Sequence, residues 1–391
     1  RDMDKIVSKV SADQKSLITD GIKIREDLGK LILLPGKDYS EEVRHFFMEN
    51  TPDHRILSLA YNLKYKENWK NVIIVSKDIN LRMKARTLGI PADDYKSGTI
   101  KNIDELYTGK RICEDIDGEL FNEICDASYG IDIEKFFINE QEICPNEYFI
   151  LKSGNGSILV RFDPLSRKIV KLNKHVAYGI KPRNAEQTFA LDALLDNNIP
   201  IVTLSGKAGT GKTLLALASA IERKSDYNQI YVARPIIPLG NKDLGYLPGD
   251  VKSKIDPYMQ PLWDNLKIIK NQFPESDHNF IKLTDMIDQK KLLIEPLAYI
   301  RGRSLEKIFF IIDEAQNLTP HEIKTIITRV GDKTKIVFTG DPYQIDTPYL
   351  DSKSNGLSYL IDKFKGQKLY AHVTLEKGER SELAELATNL L

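Results

Sequence analysis

The sequence predicts an α/β protein in three stretches, and three patterns predict it. Strand-length apolar runs alternate with helical periodicity over residues 1–109. Short alternating strands separated by turn signals fill residues 110–180, and six strand-like runs alternate with helical segments over residues 181–391. The outer stretches therefore read as α/β domains and the middle one as a small β-rich connector. At 391 residues the chain exceeds one ordinary domain, so two or three are expected.

In the first stretch "SLITDGIKIREDL" and "RILSLAYNLKYKE" have helical spacing, "NVIIV" is a strand, and "INLRMKARTLG" is a helix closed by Gly89. In the middle, "EYFILKS", "SILVRFD" and "KIVKLNK" are strands separated by "GNG" and "DPLSR" turns. In the last, "IVTLSG", "QIYVARP", "KLLIEP", "KIFFIID", "KIVFTGD" and "AHVTLE" alternate with helices. That order predicts a doubly wound parallel sheet with ligands beyond the carboxyl ends of its strands.

Composition narrows the function classes. With 41% hydrophobic and 29% charged residues the chain can bury a sizeable core. Its formal net charge is zero, so any nucleic-acid surface must be local. The longest apolar runs, such as "FFII", are strand-sized, which excludes a transmembrane helix. Cys113, Cys125 and Cys144 are odd in number and lack metal-ligand spacing, so reduced thiols and a cytoplasmic location are expected. No secretory signal is visible, and the chain opens in mid-helix without an initiator Met, so a preceding strand is expected to be missing.

The chemistry is clearest at "GKAGTGKT", residues 206–213, which fits GxxxxGK[ST] between an apolar strand and a helix. Backbone N–H groups of Gly206, Lys207, Ala208, Gly209, Thr210 and Gly211 can wrap the phosphates of ATP at a helix N-terminus. Lys212 reaches the β- and γ-phosphates, and the Thr213 hydroxyl ligates Mg²⁺. "FFIIDEAQ" then ends a buried strand on Asp313 and Glu314, suited to a Mg²⁺ partner and a base that polarises water. Alone, such a pair is more often a helix cap. In "VFTGDPYQID" Gln344 is placed to sense the γ-phosphate and Asp341 to hold a turn. In "KPRNAEQTFALDALL" Gln187 offers a donor and an acceptor to the adenine edge, or is simply an N-terminal helix glutamine.

The segment 235–262 holds five prolines and three glycines. It interleaves Lys242, Lys252 and Lys254 with Tyr246 and Tyr258, just before Trp263. Cations track phosphates and rings stack bases, so single-stranded nucleic acid is one expected ligand; a subunit-interface loop is the other reading. Arg301 and Arg303 in "RGRS" are a second basic site or a charged helix start.

Gln187, the phosphate loop, "DEAQ" and "GDPYQ" succeed one another in an order similar to the superfamily 1 helicase core. The chain resembles the PhoH family more closely, through "KPRNAEQ", "SGKAGTGKT", "YVARPIIPLG", "LGYLPGD", "YIRGRS", "FFIIDEAQN", "FTGDPYQID" and "KGERSELAELA", over nearly all of residues 180–391. The resemblance implies a P-loop ATPase and a ring-shaped homo-oligomer, expected to be a hexamer. An arginine of one subunit would then reach the γ-phosphate of the next: Arg380 in "GERSELAEL", with Arg234 as the alternative, unless either is a cap or a surface pair.

Asp53 opens the helix of "TPDHRILSLA" and Asp78 ends the strand of "VIIVSKD". Each alone reads as a helix cap. Together, through "PDHRILSLAYNLK" and "IVSKDINLRMKARTLGIPADDY", they resemble a PIN nuclease domain, in which carboxylates gather Mg²⁺ or Mn²⁺ to activate water. The resemblance makes Asp2, ahead of Asp4, the counterpart of a second family acid, puts Asp93 and Asp94 in support, and leaves the first acid on a strand this chain lacks. It also sets the basic helix of Arg82, Lys84 and Arg86 toward an RNA backbone. The whole reads as an ATP-driven enzyme that grips single-stranded RNA, translocates on it or unwinds RNA, and cuts it; the alternatives are a front domain that only binds, or an ATPase acting on a protein client.

Overall fold

In a computed structural model the chain is described at residues 21–23, 29–34, 39–67, 69–95, 99–100, 102–136, 143–237, 251–300, 305–348 and 350–378. It divides into two compact units, Arg1–Ser97 and Gly98–Leu391.

In the first unit, β1 (Ile22–Lys23) and β2 (Lys30–Leu31) pair antiparallel, so part of the stretch expected to be helical is a strand. Helices α1 (Glu41–Phe46), α2 (Pro52–Tyr65) and α3 (Ile79–Thr87) come next, with β3 (Ile74–Val75) parallel to β4 (Ala92–Asp93). Leu57, Leu81, Ala85 and Ile90 are buried at their centre. The caps are those the sequence offers: Ser40, Thr51 and Asp78 each accept a backbone N–H from the first turn of the following helix.

The second unit opens with a five-stranded sheet of β5 (Lys110–Cys113), β6 (Ile131–Asp132), β7 (Tyr148–Ser153), β8 (Gly156–Asp163) and β9 (Lys168–Lys171), in the order β5-β7-β8-β9-β6. Helix α4 (Gly118–Asp126) packs on it, an element that the short-strand texture hid. Strand alternation splits the sheet's side chains. Phe149 and Leu151 face the sheet's own core, whereas Tyr148 faces the next helix, α5 (Ala185–Leu195), stacking on Phe189 at 4.8 Å between centroids. Arg161 of β8 pairs with Asp192 at 3.0 Å and with Asp196, the C-cap of α5, at 2.8 Å. Buried charges as well as rings therefore join this sheet to α5.

The rest is a six-stranded, fully parallel sheet. In chain order its elements are β10 (Ile201–Gly206), α6 (Lys212–Glu222), β11 (Gln229–Arg234), α7 (Val251–Lys270), α8 (His278–Asp288), β12 (Leu292–Pro296), β13 (Ile308–Ile312), α9 (Pro320–Ile327), β14 (Lys335–Gly340), α10 (Gly356–Phe364) and β15 (Tyr370–Leu375). The spatial order is β12-β11-β13-β14-β10-β15. Both faces are covered. Phe309 and Ile311 pack with α5 to α8, and Phe310 and Ile312 pack with α9 and α10, which is why "FFII" is an unbroken apolar run.

Residues 251–262 of the proline-rich segment are helical. Helix α7 runs through Pro257 and Pro261 and buries Met259, Leu262, Leu266 and Ile269, so burial of an apolar stripe outweighs the local cost of proline. No helix among the described residues is long and apolar enough to cross a membrane. All three cysteines are free thiols.

Candidate nucleotide site and the acidic residues of the first unit

Strand β10 delivers its chain to the site at Gly206, which pairs with Leu375 of β15. A Cβ at Gly206 would stand 2.1 Å from the Leu375 carbonyl oxygen, so no other residue fits there. The loop then turns into α6 with Gly211 as N-cap, leaving first-turn N–H groups to face a ligand. Thr210 donates its hydroxyl to the Lys207 carbonyl at 3.0 Å, and Lys212 Nζ donates to the carbonyls of Gly206 at 2.6 Å and Lys207 at 2.9 Å. Ala208, Gly209, Gly211, Lys212 and Thr213 line a cavity of about 920 Å³, which Gly206, Lys207 and Thr210 do not line. That volume suits a nucleoside triphosphate.

The ends of β13 and β14 bring the acids. Asp313 Oδ1 accepts the hydroxyls of Thr213 at 2.8 Å and Thr339 at 2.6 Å, and the Asp313 N–H donates to the Ala233 carbonyl at 2.8 Å. A hydroxyl beside a carboxylate is an oxygen-only donor set of the kind Mg²⁺ takes, so these residues fit that ion. Glu314 stands in the left-handed region at φ 54°, which turns its side chain into the cavity wall. One carboxylate oxygen accepts from Arg234 at 3.1 Å and the other from Gln316 at 2.6 Å. Burial first, then the neighbouring Asp313, pushes the Glu314 carboxyl above its ordinary pKa.

Gln316 is a residue that sequence reasoning passed over, although it sits inside "DEAQ". It is fully buried, donates to the Gln344 carbonyl at 2.8 Å, and accepts the Asp341 N–H at 3.1 Å. A Cβ at Gly340 would come within 2.2 Å of its oxygen. Gln316 thus ties the water-side acid to the loop carrying Gln344, which lines the cavity as expected of a sensor.

At the other end, Gln187 is buried and both ends of its amide meet protein. Its oxygen accepts the Arg183 N–H at 2.9 Å, and its nitrogen donates to the Thr210 carbonyl at 3.1 Å. One N–H and one lone pair remain for a base edge. Another part of the wall was not foreseen: Pro261, Asn265 and Ile268, at helical spacing on α7, and Gln272 just after it line the cavity together with Ile180, Lys181 and Pro182.

The expected RNA contacts divide. Arg234 lies in the nucleotide cavity, paired with Glu314. Tyr258 is half-buried against the core. Lys252 and Lys254 are on α7, but their side chains lie outside the described residues, as do Arg301, Arg303, Arg380 and Asp2.

In the first unit Asp53 sits in the first turn of α2, and Asp78 caps α3, its Oδ1 accepting the N–H groups of Asn80 at 2.7 Å and Leu81 at 3.1 Å. Among the described residues no three His, Cys, Asp or Glu side chains converge as a metal site. Each basic side chain of α3 has a partner within its own unit. Arg82 donates to the carbonyls of Ser76 and Lys77 and pairs with Asp94 at 3.3 Å; Lys84 meets His54 Nε2 at 2.9 Å; Arg86 donates to the Ala92 carbonyl at 3.1 Å. Arg82 and Arg86 thus meet carbonyls beside β3 and in β4, and Asp94 pairs with Arg82 and, at 3.9 Å, with Lys77.

Comparison with known proteins agrees with this layout. A family model described as PhoH-like protein matches residues 179–390, and one described as PIN domain matches residues 7–96. Protein PhoH2 of Bacillus subtilis is 43% identical over 364 residues, which is 90% of this chain and 80% of that protein. Protein PhoH2 of Thermobispora bispora is 34% identical over 343 residues, 87% of this chain and 74% of that protein. A solved Pif1 helicase from Candida albicans overlays at TM-score 0.29 and 15% identity, covering 54% of this chain and 43% of that one, too slight a likeness to carry an argument.

Proposed function

The chain belongs to the PhoH family, with a PIN domain ahead of its PhoH region, and on that premise we propose that it is an ATP-hydrolysing, RNA-acting enzyme. The second unit hydrolyses ATP to grip single-stranded RNA and to translocate on it or unwind RNA, and the first cuts it with Mg²⁺ or Mn²⁺. One observation carries the ATPase half: Thr213 and Thr339 fix Asp313 beside a Glu314 held by Arg234 and Gln316, at the mouth of the phosphate loop. Lys212 would move from the loop carbonyls to the phosphates, Thr213 and Asp313 would hold Mg²⁺, and Glu314 would orient the attacking water. Gln344 would sense the γ-phosphate. Arg380 of a neighbour in a hexameric ring would complete the site.

RNA would run along α7 and residues 301–304, using Lys252, Lys254, Tyr258, Arg301 and Arg303. Arg234, engaged with Glu314, fits a phosphate-side role better than an RNA contact. The working location is the cytoplasm.

A second reading is that the front domain only binds RNA or protein. It is favoured by Asp78, whose Oδ1 is already spent capping α3. The deciding experiment measures ATP turnover with and without single-stranded RNA, beside RNA cleavage in Mg²⁺ or Mn²⁺. Stimulation with cleavage supports the full proposal, stimulation without cleavage supports the binding module, and no stimulation points to a protein client.

A further inference from the structure

The start of α5 and the exit of β15 are joined by a carboxylate that does not line the nucleotide cavity. Glu186, in the first turn of α5, has a side chain only 13% exposed. Its Oε2 accepts the backbone N–H groups of Glu376 at 2.7 Å and Lys377 at 3.2 Å. Its Oε1 accepts from Lys110 Nζ of β5, which also pairs with Glu376 at 3.2 Å. A largely buried carboxylate with three donors is fixed in place, and its charge strengthens each bond. The same junction is closed from the edge of the sheet, where the Thr374 N–H donates to the Thr108 carbonyl at 3.0 Å.

The junction owes its consequence to its neighbours along the chain. Leu375, just before Glu376, sets its carbonyl against Gly206, where the phosphate loop begins. Gln187, just after Glu186, donates to the Thr210 carbonyl near the loop's tip. The path from Gly206 through Leu375, Glu376, Glu186 and Gln187 to Thr210 therefore closes on the phosphate loop from behind. Glu186 is its charged link.

We infer that Glu186 is a positioning residue for ATP binding: it clamps the start of α5 to the exit of β15, keeping Gln187 on the phosphate loop. Lys110 brings the five-stranded sheet into the same clamp. The inference rests on the cavity being an ATP site. Without the clamp the loop keeps its own hydrogen bonds but loses its outer brace, so binding suffers before chemistry does.

The test uses the full chain and reads steady-state turnover together with equilibrium binding of ATP. Glu186→Ala is expected to raise KM and Kd for ATP about 10-fold while kcat moves less than about threefold. Glu186→Gln keeps an acceptor for the two N–H groups and recovers most of the loss. Gln187→Ala combined with Glu186→Ala should be no worse than the poorer single variant within about twofold, because both break one path. A folded Glu186→Ala that binds ATP like the unaltered protein, or effects that multiply, overturns the inference. If Glu186→Ala does not fold, Glu186→Gln and Lys110→Met carry the test: Kd about threefold higher in each supports the clamp, and an unchanged Kd overturns it. If Lys212→Ala binds ATP as well as the unaltered protein, the ATP reading of the cavity falls, and the inference with it.

Discussion

The hydroxyl of Thr213 donates to Oδ1 of Asp313 across 2.8 Å, joining the phosphate loop to the end of β13. Thr339 donates to the same oxygen at 2.6 Å, so the carboxylate is aimed before any ion arrives. Asp313→Asn keeps the shape but removes the charge that Mg²⁺ requires. ATP turnover should fall on the order of 100-fold or more, the usual size of losing a preorganised electrostatic group, and excess Mg²⁺ should not restore it. Phosphate release measured across a Mg²⁺ titration checks both statements.

Glu314 predicts a pH dependence. Burial and then Asp313 raise its carboxyl above the ordinary value of 4.5, while Gln316 and Arg234 act in the opposite direction. A raised carboxyl stays protonated, and cannot accept a proton, to a higher pH than usual. Turnover should therefore climb with pH through an acid limb lying above 4.5. Arg234→Ala removes one lowering charge and should move that limb further up. Glu314→Gln should bind ATP but not turn it over, and its residual rate should lack the limb. A kcat profile across pH for the three proteins decides the matter.

Much of this site could be read from the chain because its residues lie next to one another in sequence. Residues 206–213, Asp313 with Glu314, and Gln344 each lie within a few residues of the carboxyl end of a strand of the parallel sheet, and a strand end is legible from an apolar run followed by polar residues. The hidden parts are made by side chains distant in sequence. Nothing local marks Arg161 as the partner of Asp192 and Asp196, or Glu186 as the acceptor from Glu376 and Lys377. The wall of α7 was hidden for another reason: Pro257 and Pro261 signalled a loop, and only the packing of Met259, Leu262 and Leu266 shows a helix. Nor does anything local mark the carbonyls of Ser76, Lys77 and Ala92 as acceptors for Arg82 and Arg86 of α3.

Below the phosphate loop, His372 predicts acid sensitivity. Its ring lies buried between β10 and β15, Nδ1 sharing a hydrogen with Thr203 at 2.6 Å and Nε2 with Thr374 at 2.9 Å. Burial pushes its pKa down to about 3. The unfolded chain takes up this proton near pH 6.5, whereas the folded one resists until about 3, so the contribution is whole above 6.5 and is lost as pH falls between them. The slope for one such group is about 1.4 kcal/mol per pH unit. Between pH 6.5 and 5 the protein should lose about 2 kcal/mol more stability than His372→Gln, which has nothing to protonate there. Urea unfolding of both proteins at the two pH values measures the difference, and parallel losses would refute it.

Asp78 separates the two readings of the first unit, because capping and metal binding ask different things of one carboxylate. As N-cap of α3 it needs an oxygen that accepts the N–H groups of Asn80 and Leu81, which an amide oxygen also provides. As a metal ligand it needs the negative charge, which an amide lacks. Asp78→Asn should therefore leave the melting temperature of the first unit within about 1 °C of the unaltered protein, and Asp78→Ala should cost about 1 kcal/mol. If the unit is a nuclease, Asp78→Asn also abolishes Mn²⁺-dependent RNA cleavage while ATP turnover in the second unit continues. If Asp78→Asn cleaves like the unaltered protein, Asp78 is a cap alone, and the metal-dependent nuclease assignment for this carboxylate is wrong.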